Sequence, residues 1–286
     1  MSIITLTTDM GLQDYYVAAL KGRILSLKPG VRIVDISHTV SPFKVTEAAY
    51  LIRNAMKEFP AGTIHIIGVD AEPLINFSRP EESIYPTIVE YNQQYFVGAD
   101  NGVFSLILGN KEPDGIWRLE GVLSSPQLMN FSTKNILAPA AIKILNGEKL
   151  ESFCSRVESI YRMIPLSPVI DGHTLRGVVS YIDHYGNAIT NITKSDFEDV
   201  GKNVPFVIYF KRKEYYIDQI SLGYNEVQKG EKVAIFNDAG FLEIAINKGT
   251  PGNGGGASSL LGLRVNDIIR IEFTPRGSKA TIESLF

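Results

Sequence analysis

Three polar clusters sit where apolar runs end in the first part of the chain: Thr8-Asp9, Ser37-His38 and Asp70. A carboxylate at such a position can accept hydrogen bonds from a ligand or take a proton from a nucleophile. Glu72 follows Asp70 closely, and two neighbouring carboxylates can raise each other's pKa and supply a base. Arg79 is the nearby cation that could neutralise Asp70 and fix its orientation. Taken singly, each cluster also reads as ordinary loop chemistry, and Glu72 as a solvated loop charge. The four histidines, His38, His65, His173 and His184, show no metal-ligand spacing. Cys154 is the single cysteine, which rules out an intramolecular disulfide and a cysteine-based zinc cage. No metal site is expected. Pro251-Gly252-Asn253-Gly254-Gly255-Gly256 lacks the lysine and the strand-then-helix setting of a phosphate cradle, so it reads as a surface loop.

The elements that must hold these residues alternate along the first half. Ile3–Thr7 reads as a buried strand, 13–28 as a helix stopped by Pro29-Gly30, and Val31–Ile36 as a second strand. Thr46–Glu58 has helical periodicity, and Thr63–Val69 is a third, very apolar strand. Strand, helix, strand, helix, strand at this spacing predicts a parallel α/β sheet, whose ligands collect at the carboxyl ends of the strands. Tyr85–Tyr91 and Tyr95–Val97 read as paired strands joined at Asn92-Gln93. Asp100-Asn101-Gly102 reads as a turn and Leu137–Leu145 as a helix entered through Pro139. Residues 150–172 read as irregular, which places a domain boundary there. Beyond it come short strands, Thr174–Ile182, Phe206–Phe210, Glu214–Ile217, Lys232–Phe236, Phe241–Ile246 and Asp267–Phe273. Their spacing suggests a small barrel or sandwich. The expected domains are 1–165, α/β with a mainly parallel sheet, and 173–286, smaller and all-β.

Composition limits the functions available. The chain has 286 residues, 44% of them hydrophobic, enough for a sizeable core and too many for a disordered protein. A net charge of −3 gives no basic footprint for nucleic acid. No basic segment followed by a long apolar stretch opens the chain, and no apolar run is long enough to span a membrane. A reduced, cytoplasmic, soluble protein is the expectation, with neither nucleic acid nor membrane as partner.

Several motifs run in order through the chain. They begin with Thr8-Asp9-Met10-Gly11, Asp14-Tyr15-Tyr16-Val17, Lys21-Gly22 and Asp35-Ile36-Ser37-His38, and continue with Phe59-Pro60-x-Gly62-Thr63, Val69-Asp70 and Asp100-Asn101-Gly102. Ile136-Leu137-Ala138-Pro139 follows, then Asp183-His184-Tyr185-Gly186-Asn187-Ala188-Ile189-Thr190-Asn191-Ile192, Gly240-Phe241-Leu242-Glu243 and Leu261-Gly262-Leu263. The series resembles the S-adenosylmethionine (SAM) hydroxide adenosyltransferases, whose superfamily also holds the SAM-dependent fluorinase and chlorinase. The resemblance implies an α/β domain and a barrel-like domain. It also implies a homotrimer with SAM between subunits, and hydrolysis of SAM to adenosine and L-methionine. SAM is then the substrate and no cofactor is needed. Asp9 would accept the ribose hydroxyls, Phe43 and Tyr185 would flank the adenine, and Asn187 would match its edge. Asp183 would hold the methionine ammonium. Phe131, Tyr224 and Glu243 complete the expected substrate-binding set, with Tyr224 toward the methionine end. Core packing is the plainer reading of Phe43 and Tyr185 without the resemblance.

The water-handling set of that family is an Asp, an Arg and a His. Asp70 matches the Asp. The loop after it, Asp70-Ala71-Glu72-Pro73-Leu74-Ile75-Asn76-Phe77-Ser78-Arg79, is longer and lacks the family's glycines, so Arg79 is the candidate Arg. Ser132 occupies the histidine slot in Asn130-Phe131-Ser132-Thr133-Lys134-Asn135. A serine hydroxyl can orient a water but does not act as a base near neutral pH. Asp70, Arg79 and Ser132 are therefore the expected catalytic residues. Two rivals stand beside the hydrolase: a SAM-dependent halogenase and a catalytically weak SAM- or adenosine-binding protein.

Overall fold

The computed structural model describes residues 2–76, 78–79, 82–119, 126–201 and 204–274. The expected C-terminal domain extends to 286, and its last stretch, 275–286, lies outside the described residues. The chain divides into two compact units, 1–165 and 166–286.

The first unit is built on a seven-stranded sheet in the order β2-β1-β3-β5-β4-β6-β7. Its strands are β1 (Ile3–Thr8), β2 (Arg32–Ser37), β3 (Ile64–Gly68), β4 (Pro86–Tyr91), β5 (Gln94–Ala99), β6 (Gly115–Leu119) and β7 (Cys154–Arg156). Pairings among β2, β1, β3 and β5 are parallel, and those from β5 through β4 and β6 to β7 are antiparallel. β1 and β3 are buried along their whole length, as strands covered on both faces must be. Helices α1 (Tyr16–Leu27) and α5 (Ala138–Leu145) share one core with Ile4, Leu6, Ile64 and Ile66. Helices α2 (Val45–Ala55) and α3 (Val103–Leu108) share the other with Ile67, Val69, Val89 and Phe96. A short helix, α4 (Pro126–Met129), precedes a π-helical turn at Thr133–Leu137 that runs directly into α5. Asn92 and Gln93 both have positive φ, 52° and 60°, the backbone of a tight β4–β5 hairpin.

Residues 150–172 are more regular than their composition suggested. They contain β7 and β8 (Val169–Asp171), each three residues long. Strands this short carry almost no periodicity: β7 forms against β6, far away in sequence, and β8 against the strand that follows it directly, Thr174–Ile182. Helix α3 and strand β6 lie in stretches where the sequence pattern assigns no element.

His65 is buried in the first unit and uncharged in character. Its Nδ1 lies 2.7 Å from Thr5 Oγ1 and its Nε2 3.2 Å from Gln94 Oε1. The Gln94 amide nitrogen donates to the carbonyls of Met56 and Phe59, which turns its oxygen toward the ring. Phe96 stacks on the imidazole at 4.7 Å. Burial lowers the His65 pKa from 6.5 to about 4, with the Gln94 hydrogen bond opposing it.

The named strands of the second unit all pair antiparallel. Its strands are β8, β9 (Thr174–Ile182), β10 (Ala188–Thr193), β11 (Phe206–Phe210), β12 (Arg212–Ile217), β13 (Lys232–Phe236), β14 (Phe241–Ile246) and β15 (Ile268–Phe273). They run β12-β11-β15-β9-β10-β14-β13, with β8 added on β9. A bridge from Ser221 to Ile235, and the Ser221 N–H bond to the Ala234 carbonyl at 2.8 Å, nearly close the sheet into a barrel. Leu175, Val179, Ile208, Leu242, Ile244 and Ile271 lie in its core. Helix α6 (Lys194–Gly201) brings Phe197 against Phe206, Phe236 and Phe273. A second short helix, α7 (Ala257–Leu260), follows the glycine-rich loop.

Candidate functional site

In the first unit the candidate residues gather at the carboxyl ends of the parallel strands. Asp9 follows β1 and Asp70 lies just past β3. One oxygen of Asp9, Oδ2, accepts the N–H of Phe43 at 2.9 Å and that of Asp70 at 3.4 Å. Asp9, Phe43 and Asp70 thus share one carboxylate contact, although they are far apart in sequence. The buried Asn101 fixes the same strand end by donating its amide to the carbonyls of Val69, at 3.1 Å, and Asp70, at 2.8 Å. In the sequence Asn101 reads as a turn residue inside the Asp100-Asn101-Gly102 motif, without a site role. Its role in the site needs the strand end beside it, which spacing does not reveal.

The backbone here departs from ordinary conformations. Phe43, Asp70 and Phe131 have φ of 64°, 45° and 77°, values that non-glycine residues adopt at a cost of order 1–3 kcal/mol each. The ring of Phe43 is 72% exposed, so core packing does not explain it. Phe131 meets Tyr16 edge-on at 5.6 Å, and Lys134 Nζ stands 5.0 Å from the ring centroid. Ser132 is fully buried and donates its hydroxyl to the Ala71 carbonyl at 2.8 Å. It therefore latches the segment after Asp70. Thr133 packs on Gly68, where a Cβ would lie 2.7 Å from Thr133 Cγ2.

The carboxylates feel one another. Loss of solvation raises the Asp70 pKa, and the charge of Asp9 adds to it. Glu72 is raised first by loss of solvation and also by Asp9 and Asp70, while hydrogen bonds from Ser132 oppose the rise. Glu72 thus belongs to the electrostatics of the cluster. Arg79 is placed elsewhere: its guanidinium pairs with Glu82 and its main-chain N–H donates to Asn76 Oδ1 at 3.0 Å. No described contact joins it to Asp70.

The second unit carries its own cluster. Asp183 closes the turn between β9 and β10, accepting the Asn187 N–H at 2.8 Å and its side-chain amide at 3.1 Å. Gly186, at φ 82°, allows that turn, and Tyr185 leaves it 59% exposed. Glu243 on β14 is buried and accepts the Tyr224 hydroxyl at 2.6 Å and the Asn237 amide at 3.1 Å. Burial, and then Glu243, push the Tyr224 hydroxyl well above its usual pKa, and the charges of Asp183 and Tyr185 reach it as well. Asp183, Tyr185, Asn187, Tyr224 and Glu243 are therefore neighbours.

The glycine-rich loop does more than cover surface. Pro251 to Gly254 are exposed, but Gly256 is buried against the Asp183–Asn187 turn, where a Cβ would lie 2.3 Å from the Tyr185 carbonyl oxygen. Ser258 donates its N–H to the Gly186 carbonyl at 2.8 Å. The loop and α7 buttress the turn that presents Tyr185.

Comparison with known proteins bears on both clusters. Residues 4–154 match the model of the SAM hydroxide adenosyltransferase N-terminal domain, and residues 177–270 that of its C-terminal domain. The (R)-S-adenosyl-L-methionine hydrolase of Methanocaldococcus jannaschii is 30% identical over 260 residues, 86% of this chain and 88% of that protein. The protein of the same name from Thermus thermophilus is 28% identical over 279 residues, 92% of this chain and 97% of that protein. A fluorinase from Nocardia brasiliensis is 26% identical, over 86% of this chain and 90% of its own. The crystal structure of an uncharacterized conserved protein from Thermotoga maritima has a TM-score of 0.80 and 29% identity, covering 94% of this chain and 99% of that one. Among the described residues, no helix is long and apolar enough to cross a membrane.

Proposed function

The chain belongs to the SAM hydroxide adenosyltransferase family, and on that premise we propose that it hydrolyses SAM to adenosine and L-methionine. The observation that carries this reading is the strand-end cluster, in which the Asp9 carboxylate is held by the Phe43 and Asp70 amides beside the Asp70 side chain. Water attacks the ribose C5′ from the side opposite the sulfur. The C5′–S bond breaks, and its electron pair leaves with methionine as a neutral thioether. The leaving group needs no acid. The enzyme's task is to hold the water in line, strip its solvent and receive its proton. We assign the proton to Asp70. Ser132 shapes the loop that carries it, and Arg79 is the cation we assign to the set.

In this reading Asp9 takes the ribose hydroxyls. One of its oxygens holds two amides, and we assign the other to the ribose hydroxyls. Phe43, Phe131 and Tyr185 supply the aromatic walls, and Asn187 the adenine edge. Asp183, Tyr224 and Glu243 line the methionine end. Asp9→Ala is expected to weaken SAM binding by ~1–3 kcal/mol, the scale of hydrogen bonds to a charged group. Wild-type affinity by calorimetry, in a variant that is folded, removes Asp9 from the ribose role.

The finer part of the proposal is a homotrimer with each pocket shared between subunits. Asp9 and Phe43 would come from one chain, and Asp183, Tyr185, Asn187 and Glu243 from its neighbour. Exposed rings in both clusters support this, since an aromatic side chain open to water favours a cover. Light scattering is expected to give the mass of three chains. A monomer that still binds SAM tightly contradicts the shared pocket. The one cysteine, Cys154, is buried and suits a reducing, cytoplasmic setting.

A further inference from the structure

His38 is buried, and both ring nitrogens have partners in reach. Nδ1 is within hydrogen-bond reach of Thr8 Oγ1 at 2.8 Å, and Nε2 lies 3.1 Å from Asp35 Oδ1, a charge contact whose angle falls short of a hydrogen bond. The other oxygen of Asp35 takes Lys21 Nζ at 2.5 Å. A carboxylate at Nε2 calls for the proton there, which leaves Nδ1 as an acceptor. The Thr8 hydroxyl then donates to the ring, and its oxygen is free to accept the Met10 N–H, which lies 3.5 Å away. The main chain of His38 grips the same turn from its far side, its carbonyl accepting the Gly11 N–H at 2.7 Å. Thr8 and Gly11 are thus tied directly to His38, and Met10 through Thr8, with Asp9 among them.

Comparison with His65 separates this arrangement from core filling. His65 is bonded to another β1 threonine, Thr5, but within the strand, with a neutral amide at its other nitrogen and aromatic rings around it. His38 sits where the strand ends, and its chain of contacts runs to a charged pair at the surface. Burial pushes the Asp35 carboxyl up, but Lys21 and His38 outweigh it and hold it below the usual value, so it stays charged beside the ring.

We infer that His38, backed by Asp35 and Lys21, is a positioning residue that sets the Thr8–Gly11 turn and so aims the Asp9 carboxylate at the ribose. The inference rests on the proposed role of Asp9 in binding SAM. An asparagine at 38 can replace the Nδ1 contact to Thr8, whereas a glutamine replaces only the Nε2 contact to Asp35. Thr8→Val removes the hydroxyl with little change of shape.

The test measures SAM affinity by calorimetry and steady-state kinetics in these variants. Thr8→Val and His38→Gln are expected to raise the Kd and KM for SAM roughly tenfold, the scale of one lost hydrogen bond, while kcat changes by less than about threefold. His38→Asn should stay within about threefold of the parent. In an Asp9→Ala background, Thr8→Val should add nothing, because the group it aims is gone. Equal impairment of His38→Asn and His38→Gln overturns the inference, as does a Thr8→Val effect that multiplies with Asp9→Ala. The two His38 variants decide the matter if Thr8→Val does not fold. A parent that neither binds nor cleaves SAM overturns the functional reading itself. An active parent with SAM affinity unchanged in Thr8→Val overturns the positioning role alone.

Discussion

Asp70→Asn is expected to keep the affinity for SAM and to lower the rate of hydrolysis by a factor on the order of 10²–10⁴, the usual range for losing a general base. The amide keeps the shape of the side chain, and the Asp9 contact is made by the main-chain N–H of residue 70, which the substitution leaves in place. What disappears is the capacity to take a proton from water. The same chemistry fixes the pH dependence. Asp70 must be ionised to act, and loss of solvation followed by the charge of Asp9 holds its pKa above the ordinary 3.8. The rate should therefore fall as pH drops through a value above the usual aspartate range, and Asp9→Asn should move that limb to lower pH. Ser132→Ala should cost much less. Its hydroxyl donates to the Ala71 carbonyl and stands against the Glu72 carboxylate, so its removal costs stability on the order of 1–3 kcal/mol while leaving the Asp70 carboxylate in place. Single-turnover kinetics decide between the two: an Asp70→Asn protein as fast as the parent, or a Ser132→Ala protein that is slower than Asp70→Asn, removes Asp70 from the role of base.

Stability should show an acid limb of its own, set by His65. The folded pKa is about 4 against 6.5 for the free side chain, with burial as the main cause. Between those values the unfolded chain binds a proton that the folded chain does not. Stability from this group is therefore fully present above about pH 6.5 and is lost as pH falls toward 4. The loss amounts to roughly 3 kcal/mol, at about 1.4 kcal/mol for each pH unit. Below pH 4 both states are protonated and His65 contributes no further slope. Denaturant unfolding followed across this range is the check. His65→Asn keeps an acceptor for Thr5 and cannot titrate, so its profile should be flatter by this amount. Parallel profiles for parent and variant contradict the assignment.

How much of this was legible in the sequence depends on the range of the interaction that makes each element. β1, β3, β9, β11, β13 and β14 declare themselves through apolar content and turn residues close by. β7 and β8 do not, because three residues carry no period. Helix α6 did carry a signal, a capping box in which Asp196 bonds the Thr193 N–H and hydroxyl and Thr193 Oγ1 accepts the Asp196 N–H. The site shows the same division. Asp9 and Asp70 stand at strand ends that pattern alone could place. The positive φ of Phe43, Asp70 and Phe131 could not be read, since no glycine marks those positions, and the π-helical turn that follows Ser132 has no composition of its own. Asn101, Asn237 and Gly256 act through partners brought near only by the fold. In the sequence Gly256 reads as one of several loop glycines; in the fold the Tyr185 carbonyl occupies the space a side chain there would need.

The central claim is that water attacks C5′ of SAM and methionine leaves. It is tested most directly by incubating the protein with SAM in heavy-oxygen water containing chloride, and identifying the products by chromatography and mass spectrometry. The account predicts adenosine with the heavy oxygen at its 5′-hydroxyl, together with unlabelled L-methionine. A 5′-halogenated nucleoside, adenosine without the label, or SAM recovered intact would contradict it.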